Sequence, residues 1–201
     1  MKFIARYRTR LSQALALVYM LVFTFSEKRL ETEMPVVTGM MIIMGIVLVG
    51  LGMVGRLWCA QYIAGRKTES LITEGPYSVC RNPLYFFSLV GGMGVGLCTE
   101  SVILALAIPA VFALIYPITI LNEERVLQEV HGKAYSDYMS RVPRFLPEWS
   151  LFREPAEYVV NTRIYRREVV DALCFVCVVG LFEMLEELAN SGIIKTFFAL
   201  Y

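Results

Sequence analysis

Residues 36–57, VVTGMMIIMGIVLVGLGMVGRL, hold a single charged side chain, Arg56, next to the end of the run. A helix rises about 1.5 Å per residue, so about 20 apolar residues cross the ~30 Å hydrocarbon layer of a bilayer. The apolar residues here are continuous, not spaced along one stripe, and the run therefore reads as a membrane helix. Further blocks lie on either side of it: Leu11 to Phe25, Pro83 to Leu97, Val102 to Leu121 and Val169 to Leu185. The chain is 57% hydrophobic with a mean hydropathy of +0.57, well above the roughly half-apolar composition of soluble domains. These features predict an all-α integral membrane protein with about five spanning or partly spanning helices. The first and third blocks are short and need snorkelling flanks or a thinner bilayer. The fifth contains Asp171 and Glu183, with Glu186 and Glu187 just beyond, which makes a crossing costly.

Charge sets the expected orientation. Lys2, Arg6, Arg8 and Arg10 precede the first block; Arg56, Arg66, Lys67 and Arg81 go with the connection between the second and third. Arg125, Lys133, Arg141, Arg144, Arg153, Arg163, Arg166 and Arg167 lie between the fourth and fifth, leaving only Lys28, Arg29 and Lys195 for the opposite side. That bias predicts a cytoplasmic N terminus and, with five crossings, an external C terminus. The net charge of +1 argues against a nucleic-acid partner, because acids match the bases in the same loops.

The basic start followed by an apolar run has the outline of a signal peptide, but Ser26-Glu27-Lys28-Arg29 offers no small-residue cleavage pattern, so a retained helix is expected. Five scattered cysteines form no disulfide framework, and the Cys174-Phe-Val-Cys177 spacing inside an apolar block reads as helix packing. The expected external loops are short, whereas the cytoplasmic segments are long and rich in Tyr, Arg, Glu and Pro; any chemistry is expected to face the cytoplasm. Three regions follow: 1–70 with the first two helices, 71–147 with the polar motifs around a helical hairpin, and 148–201 as a C-terminal extension.

The segment LITEGPYSVCRNPLY, residues 71–85, places a Gly75-Pro76 turn before Pro83, which suits the first turn of a helix. Arg81 and Asn82 are thereby delivered to a helix N-terminus at the membrane boundary, where free N–H groups favour an anion. The alternative is that Arg81 snorkels to lipid phosphate and Asn82 caps the helix. The second segment, NEERVLQEVHGKAYSDYMSRVPRFLP, residues 122–147, begins with Glu123 and Glu124, which point about 100° apart on a helix. Acids at a helix C-terminus oppose the macrodipole, so a positive group is expected beside them. Pro143 and Pro147 restrict the chain around Arg144, which is expected to lie near the Arg81 loop.

Taken in order, Gly-Pro-Tyr, Asn-Pro-x-Tyr, a short hairpin, Glu-Glu, Gly-x-x-Tyr-x-x-Tyr and Pro-Arg-x-x-Pro resemble the isoprenylcysteine carboxyl methyltransferase and phospholipid methyltransferase family of membrane enzymes. The likeness covers about Leu71 to Pro147. It implies S-adenosylmethionine as cofactor, held on the cytoplasmic side by Leu71, Gly75, Tyr77, Arg81, Asn82, Pro83, Tyr85, Glu123, Glu124, Tyr135 and Tyr138. Arg144, Tyr85 and Glu124 are the candidates for the transfer step, no metal is implied, and the partners are the bilayer and a lipophilic acceptor. Asn82 departs from the Arg-His-Pro of the carboxyl methyltransferases, which leaves a prenylcysteine acceptor open beside a phospholipid amine or a small lipophilic thiol or acid. The physical sense is that one glutamate pairs with the cofactor ammonium while Arg81 and helix N–H groups take its carboxylate. Two other readings stand beside it: an NADPH-dependent reductase of the sterol reductase type, and a membrane ligand-binding module without catalysis. His131, the one histidine, reads as structural, and Gly91 to Gly96 as a surface for close helix packing.

Overall fold

The computed structural model describes residues 2–64 and 70–201, the side chains of 2–9 excepted. Arg66 and Lys67, and the side chains of Lys2, Arg6 and Arg8, which enter the charge bias, lie outside the described residues. Most of the described residues are helical: α1 Lys2–Phe25, α2 Arg29–Glu33, α3 Pro35–Ile63, α4 Pro76–Val79, α5 Pro83–Leu97, α6 Val102–His131, α7 Lys133–Arg141 and α8 Thr162–Asn190. Two three-residue strands, β1 Ser26–Lys28 and β2 Phe198–Leu200, pair in parallel.

Each of the five apolar blocks lies within a helix, and four of the helices run well past their block. Helix α6 continues ten residues beyond Leu121 because Glu, Arg, Leu and Gln are good helix formers and nothing breaks the helix before Gly132, whose φ of 52° suits glycine. The short block 83–97 is matched end to end: Pro83 occupies the first turn of α5. Among the described residues, α3 and α6 are long and apolar enough to cross a bilayer, and α1 from Arg10 and α5 are shorter apolar helices. Their apolar faces stay uncovered by protein: Val36 and Leu114 are each 75% exposed, Met40 and Ile43 67%. Aqueous exposure on this scale would be unfavourable by about 25 cal/mol per Å2, which places these faces in lipid.

Helix α3 packs most extensively on α5, and small residues are the reason. A β-carbon on Gly94 would lie 2.6 Å from both the Gly45 carbonyl oxygen and the Val49 nitrogen, and one on Gly52 would collide with Gly91 Cα. The two backbones therefore touch, as expected where lipid leaves van der Waals packing to hold helices together. Helix α5 in turn packs on α6, and α8 lies along α1, α3 and α5. The buried core joins Phe23, Val49, Val95, Leu104 and Phe182 from these five helices.

Helix α8 runs the length of the bundle. Near its start Tyr165 Oη accepts from Gln61 Nε2 at 3.4 Å, at the end of α3; near its finish Glu186 pairs with Lys28, just after α1. Lys28 Nζ also lies 3.6 Å from Glu100 in the α5–α6 turn, and the Ser101 hydroxyl and Ile103 N–H donate to the Tyr201 carbonyl. The β1–β2 pair closes the same end.

Candidate active site

The opposite end of the bundle gathers the polar motifs. Gly75, at φ 57°, starts the turn into α4, and its N–H donates to the Arg153 carbonyl at 2.7 Å. A β-carbon here would strike the Tyr62 ring, so glycine is needed for space as well as for conformation. The next residues are sealed against the segment after α7: Arg81 N–H donates to the Pro143 carbonyl at 2.9 Å, and Glu148 N–H to the Val79 carbonyl at 2.9 Å. Cys80, fully buried between them, donates its thiol to the Phe145 carbonyl at 3.0 Å and accepts from Asn82 N–H at 3.4 Å. Burial raises this thiol to about 11, the Asn82 N–H and the Arg81 charge offsetting part of the rise. Nothing in the motif spacing marked Cys80; its signal is a cysteine in an otherwise polar loop.

Glu124 is the centre of the arrangement. Its residue is 5% exposed, and three groups converge on it. Asn82 Nδ2 donates to Oε1 at 3.2 Å, Arg144 Nε donates to Oε2 at 3.1 Å, and Arg81 Nε lies 3.3 Å from Oε1 without the alignment of a hydrogen bond. Asn82 Nδ2 also reaches the Arg144 carbonyl at 3.0 Å. Asn82 thus stands at the helix cap position without capping through its side chain, and the Arg81 side chain, 8% exposed, is paired with a carboxylate and does not snorkel. The positive partners expected beside the glutamates are present, though the dipole does not account for them. Helix α6 ends at His131, nearly two turns beyond Glu124, and the end effect fades within one turn.

Glu123 points elsewhere, as the 100° step requires, and Tyr85 Oη donates to its Oε1 at 2.7 Å. The Tyr85 ring meets Tyr116 edge-on, Tyr116 stacks on Phe112 at 3.9 Å, and Phe112 and Phe86 both touch Phe145. An apolar aromatic wall between α5 and α6 therefore adjoins the polar cluster. Tyr135 and Tyr138, both buried on α7, close the other side; Tyr138 Oη donates to the Tyr77 carbonyl at 2.7 Å. Burial, with the Glu124 charge adding, raises the Tyr135 phenol to about 12, and burial raises Tyr138 also. Both stay protonated near neutral pH, and Tyr138 is fixed as a donor. Arg144 keeps half of its side chain exposed. Pro83 is buried under the cluster, whereas Leu71 lies in a separate cleft of about 240 Å3 lined also by Tyr62, Thr73, Glu74 and Tyr158.

A polar cluster at a helix N-terminus, set against an aromatic wall in a bundle of lipid-facing helices, is an arrangement suited to a membrane transferase, and comparison with known proteins bears on it directly. Residues 35–134 match the phospholipid methyltransferase family model. The chain is 36% identical over 159 residues, 79% of it and 73% of the relative, to the cobalt-zinc-cadmium resistance protein CzcN of Cupriavidus metallidurans. It is 41% identical over 139 residues to the nickel-cobalt-cadmium resistance protein NccN of Alcaligenes xylosoxydans, covering 69% of this chain and 65% of that one. A third relative, protein-S-isoprenylcysteine O-methyltransferase B of Arabidopsis thaliana, is 32% identical over 85 residues, 42% of this chain and 43% of its own. No solved structure matches at a significant level. The chain belongs to the phospholipid methyltransferase family, which resembles the isoprenylcysteine methyltransferases.

Proposed function

We propose that this protein is a multi-pass membrane methyltransferase that uses S-adenosylmethionine at the cytoplasmic face and acts on a lipophilic acceptor. The observation that carries the reading is the convergence of Arg81, Asn82 and Arg144 on the buried Glu124, beside the Tyr85–Glu123 bond. The residues fit the charges of that cofactor. Arg81, held against Glu124 through its Nε, carries a charge that suits a carboxylate, and Glu123, next to the aromatic wall, suits an ammonium. Glu124 is already matched by two guanidiniums, so its role is to hold Arg81, Asn82 and Arg144 in place. Gly75, Tyr77, Pro83, Tyr135 and Tyr138 shape the walls, whereas Leu71 stands apart from them in its separate cleft.

When bound, the cofactor supplies a methyl group made electrophilic by its sulfonium. The chain has then to align the acceptor, exclude water and take up a proton where the acceptor carries one. Tyr135 and Tyr138 are held protonated, so the Tyr85–Glu123 pair is the proton acceptor within reach of the aromatic wall. A carboxylate or thiolate acceptor needs no such step. Arg144, partly exposed at the rim, orients an anionic part of the acceptor or cofactor.

The test is a thermal-stability titration of detergent-purified protein with S-adenosylhomocysteine and, separately, NADPH, since only a ligand of the native state raises Tm. A rise with S-adenosylhomocysteine alone supports the reading. A rise with NADPH alone points to a reductase, and no rise with either points to a module without this chemistry.

A further inference from the structure

Lys28 and Arg81, two cations with side chains under 10% exposed, each lie within 4.0 Å of a glutamate. Arg56 does not: among the described residues no carboxylate comes within that distance of it. Its position makes this costly. It lies seven residues before the end of α3, roughly 10 Å inside that helix end, and its partner Ser88 lies five residues into α5, roughly 8 Å from Pro83. The guanidinium has therefore turned inward between helices, although a side chain at this depth could snorkel to the boundary.

The contacts fix its orientation. Nη1 donates to Ser88 Oγ, and the Ser88 hydroxyl spends its own proton on the Leu84 carbonyl at 2.6 Å. The Phe175 ring of α8 lies 5.9 Å from the guanidinium carbon, and Gly91 lets that ring lie against α5, since a β-carbon there would be 3.0 Å from it. Nε is buried with no acceptor. Neither a hydroxyl nor an aromatic face carries charge, and arginine cannot discharge by losing its proton. The Nε–Nη2 edge, which meets a carboxylate or phosphate in a paired fashion, is the edge that Ser88 leaves unused.

We propose that Arg56, anchored by Ser88 and flanked by Phe175, is a binding site for the oxyanion of a membrane lipid, a phosphate diester or a carboxylate, inserted at the junction of α3, α5 and α8. Ser88 follows Tyr85 by three residues, about 60° around α5 and one turn further from its start; Gly52 and Gly55 of α3 meet Gly91 and Phe87 on one face of α5, whereas Gly92 and Gly96 meet Ile108 and Ala105 of α6 on another. The site thus lies beside the methyl-transfer site, on the α3 and α8 side of α5 where Phe175 meets Gly91, and its lipid binding can be read without that activity.

The experiment uses the full chain, delipidated in the neutral detergent dodecyl maltoside, with phosphatidylglycerol, oleate and inorganic phosphate added in separate titrations and Tm and retained lipid read by calorimetry and native mass spectrometry. Phosphatidylglycerol or oleate is expected to raise the wild-type Tm by roughly 4 °C or more at saturation. Arg56→Gln should lose most of the rise, and Arg56→Lys should keep less than half, because lysine lacks the paired edge. Should Arg56→Gln not fold, Ser88→Ala tests the same point: it keeps the charge, frees its anchor, and should weaken apparent affinity about tenfold. Equal shifts in wild type and variants, no shift in any titration, or inorganic phosphate matching the lipids would each overturn the proposal.

Discussion

Arg144 Nε donates to Glu124 Oε2 at 3.1 Å, while half of the Arg144 side chain remains open and Glu124 is almost fully covered. The pair is therefore unequal. Removing Arg144 leaves Glu124 with Arg81 and Asn82, so Arg144→Ala should cost about 1 kcal/mol of stability or less. Under the proposed function Arg144→Lys should nonetheless lower methyl transfer strongly, because a point charge cannot reproduce a bidentate contact. Radiolabelled transfer to membrane lipids and lipophilic thiols or acids checks this; full activity in the lysine variant would show that charge alone suffices.

Glu124→Gln should behave differently. It leaves the Arg81 side chain, 8% exposed, without its carboxylate, and breaking a buried pair from one side costs about 3–5 kcal/mol. Denaturation in detergent should show a large loss of stability, and calorimetry a loss of S-adenosylhomocysteine binding. Glu123→Gln should weaken binding with a much smaller effect on the fold, since Glu123 is only half-buried.

Gly94→Ala should separate α3 from α5, because the new β-carbon would lie 2.6 Å from two backbone atoms that cannot rotate away. The expected cost is about 1–3 kcal/mol or more. Gly50→Ala is the control: nothing lies within 4 Å of its β-carbon position, and the helix should gain up to about 1 kcal/mol. Equal Tm values for the two variants would contradict the close approach.

Glu100 is raised above the ordinary carboxylate value by burial, against the opposing pull of Lys28, with Glu31 and Glu183 adding to the rise. A raised folded-state value means that the fold favours the protonated form. Its contribution to stability is complete below the ordinary value and is lost as pH rises through the raised one. Tm followed from about pH 4 to about pH 8 should show this decline, and Glu100→Gln should flatten it.

Reporter fusions test the orientation. The β1–β2 pairing puts Phe198 to Leu200 beside the end of α1, so a fusion after Tyr201 and one at the N terminus should report opposite sides of the membrane. A C-terminal reporter active only in the cytoplasm would refute the five-crossing arrangement.

The helices were legible because lipid demands long apolar runs, and the start of α5 because Pro83 is suited to a first turn. The closeness of Arg144 to the Arg81 loop was legible from the restricting prolines. The helix ends were not: the polar turns that extend α6 to His131 and α8 to Thr162 follow from helix propensity in residues that a hydropathy reading assigns to loops. Asn82 had an apparent local use as a cap, and only the distant Glu124 explains why it makes another bond. Arg56 was grouped with the loop bases, since its inward turn depends on Ser88, thirty-two residues away.

The β1–β2 clasp has a consequence for biogenesis. Its first strand leaves the ribosome roughly 170 residues before its second, so Ser26 to Lys28 keeps an open edge while α3 to α8 are synthesised. Among the described elements this end of the bundle is thus completed last, and a chain stalled before Phe198 would leave the Ser26 to Lys28 edge unpaired.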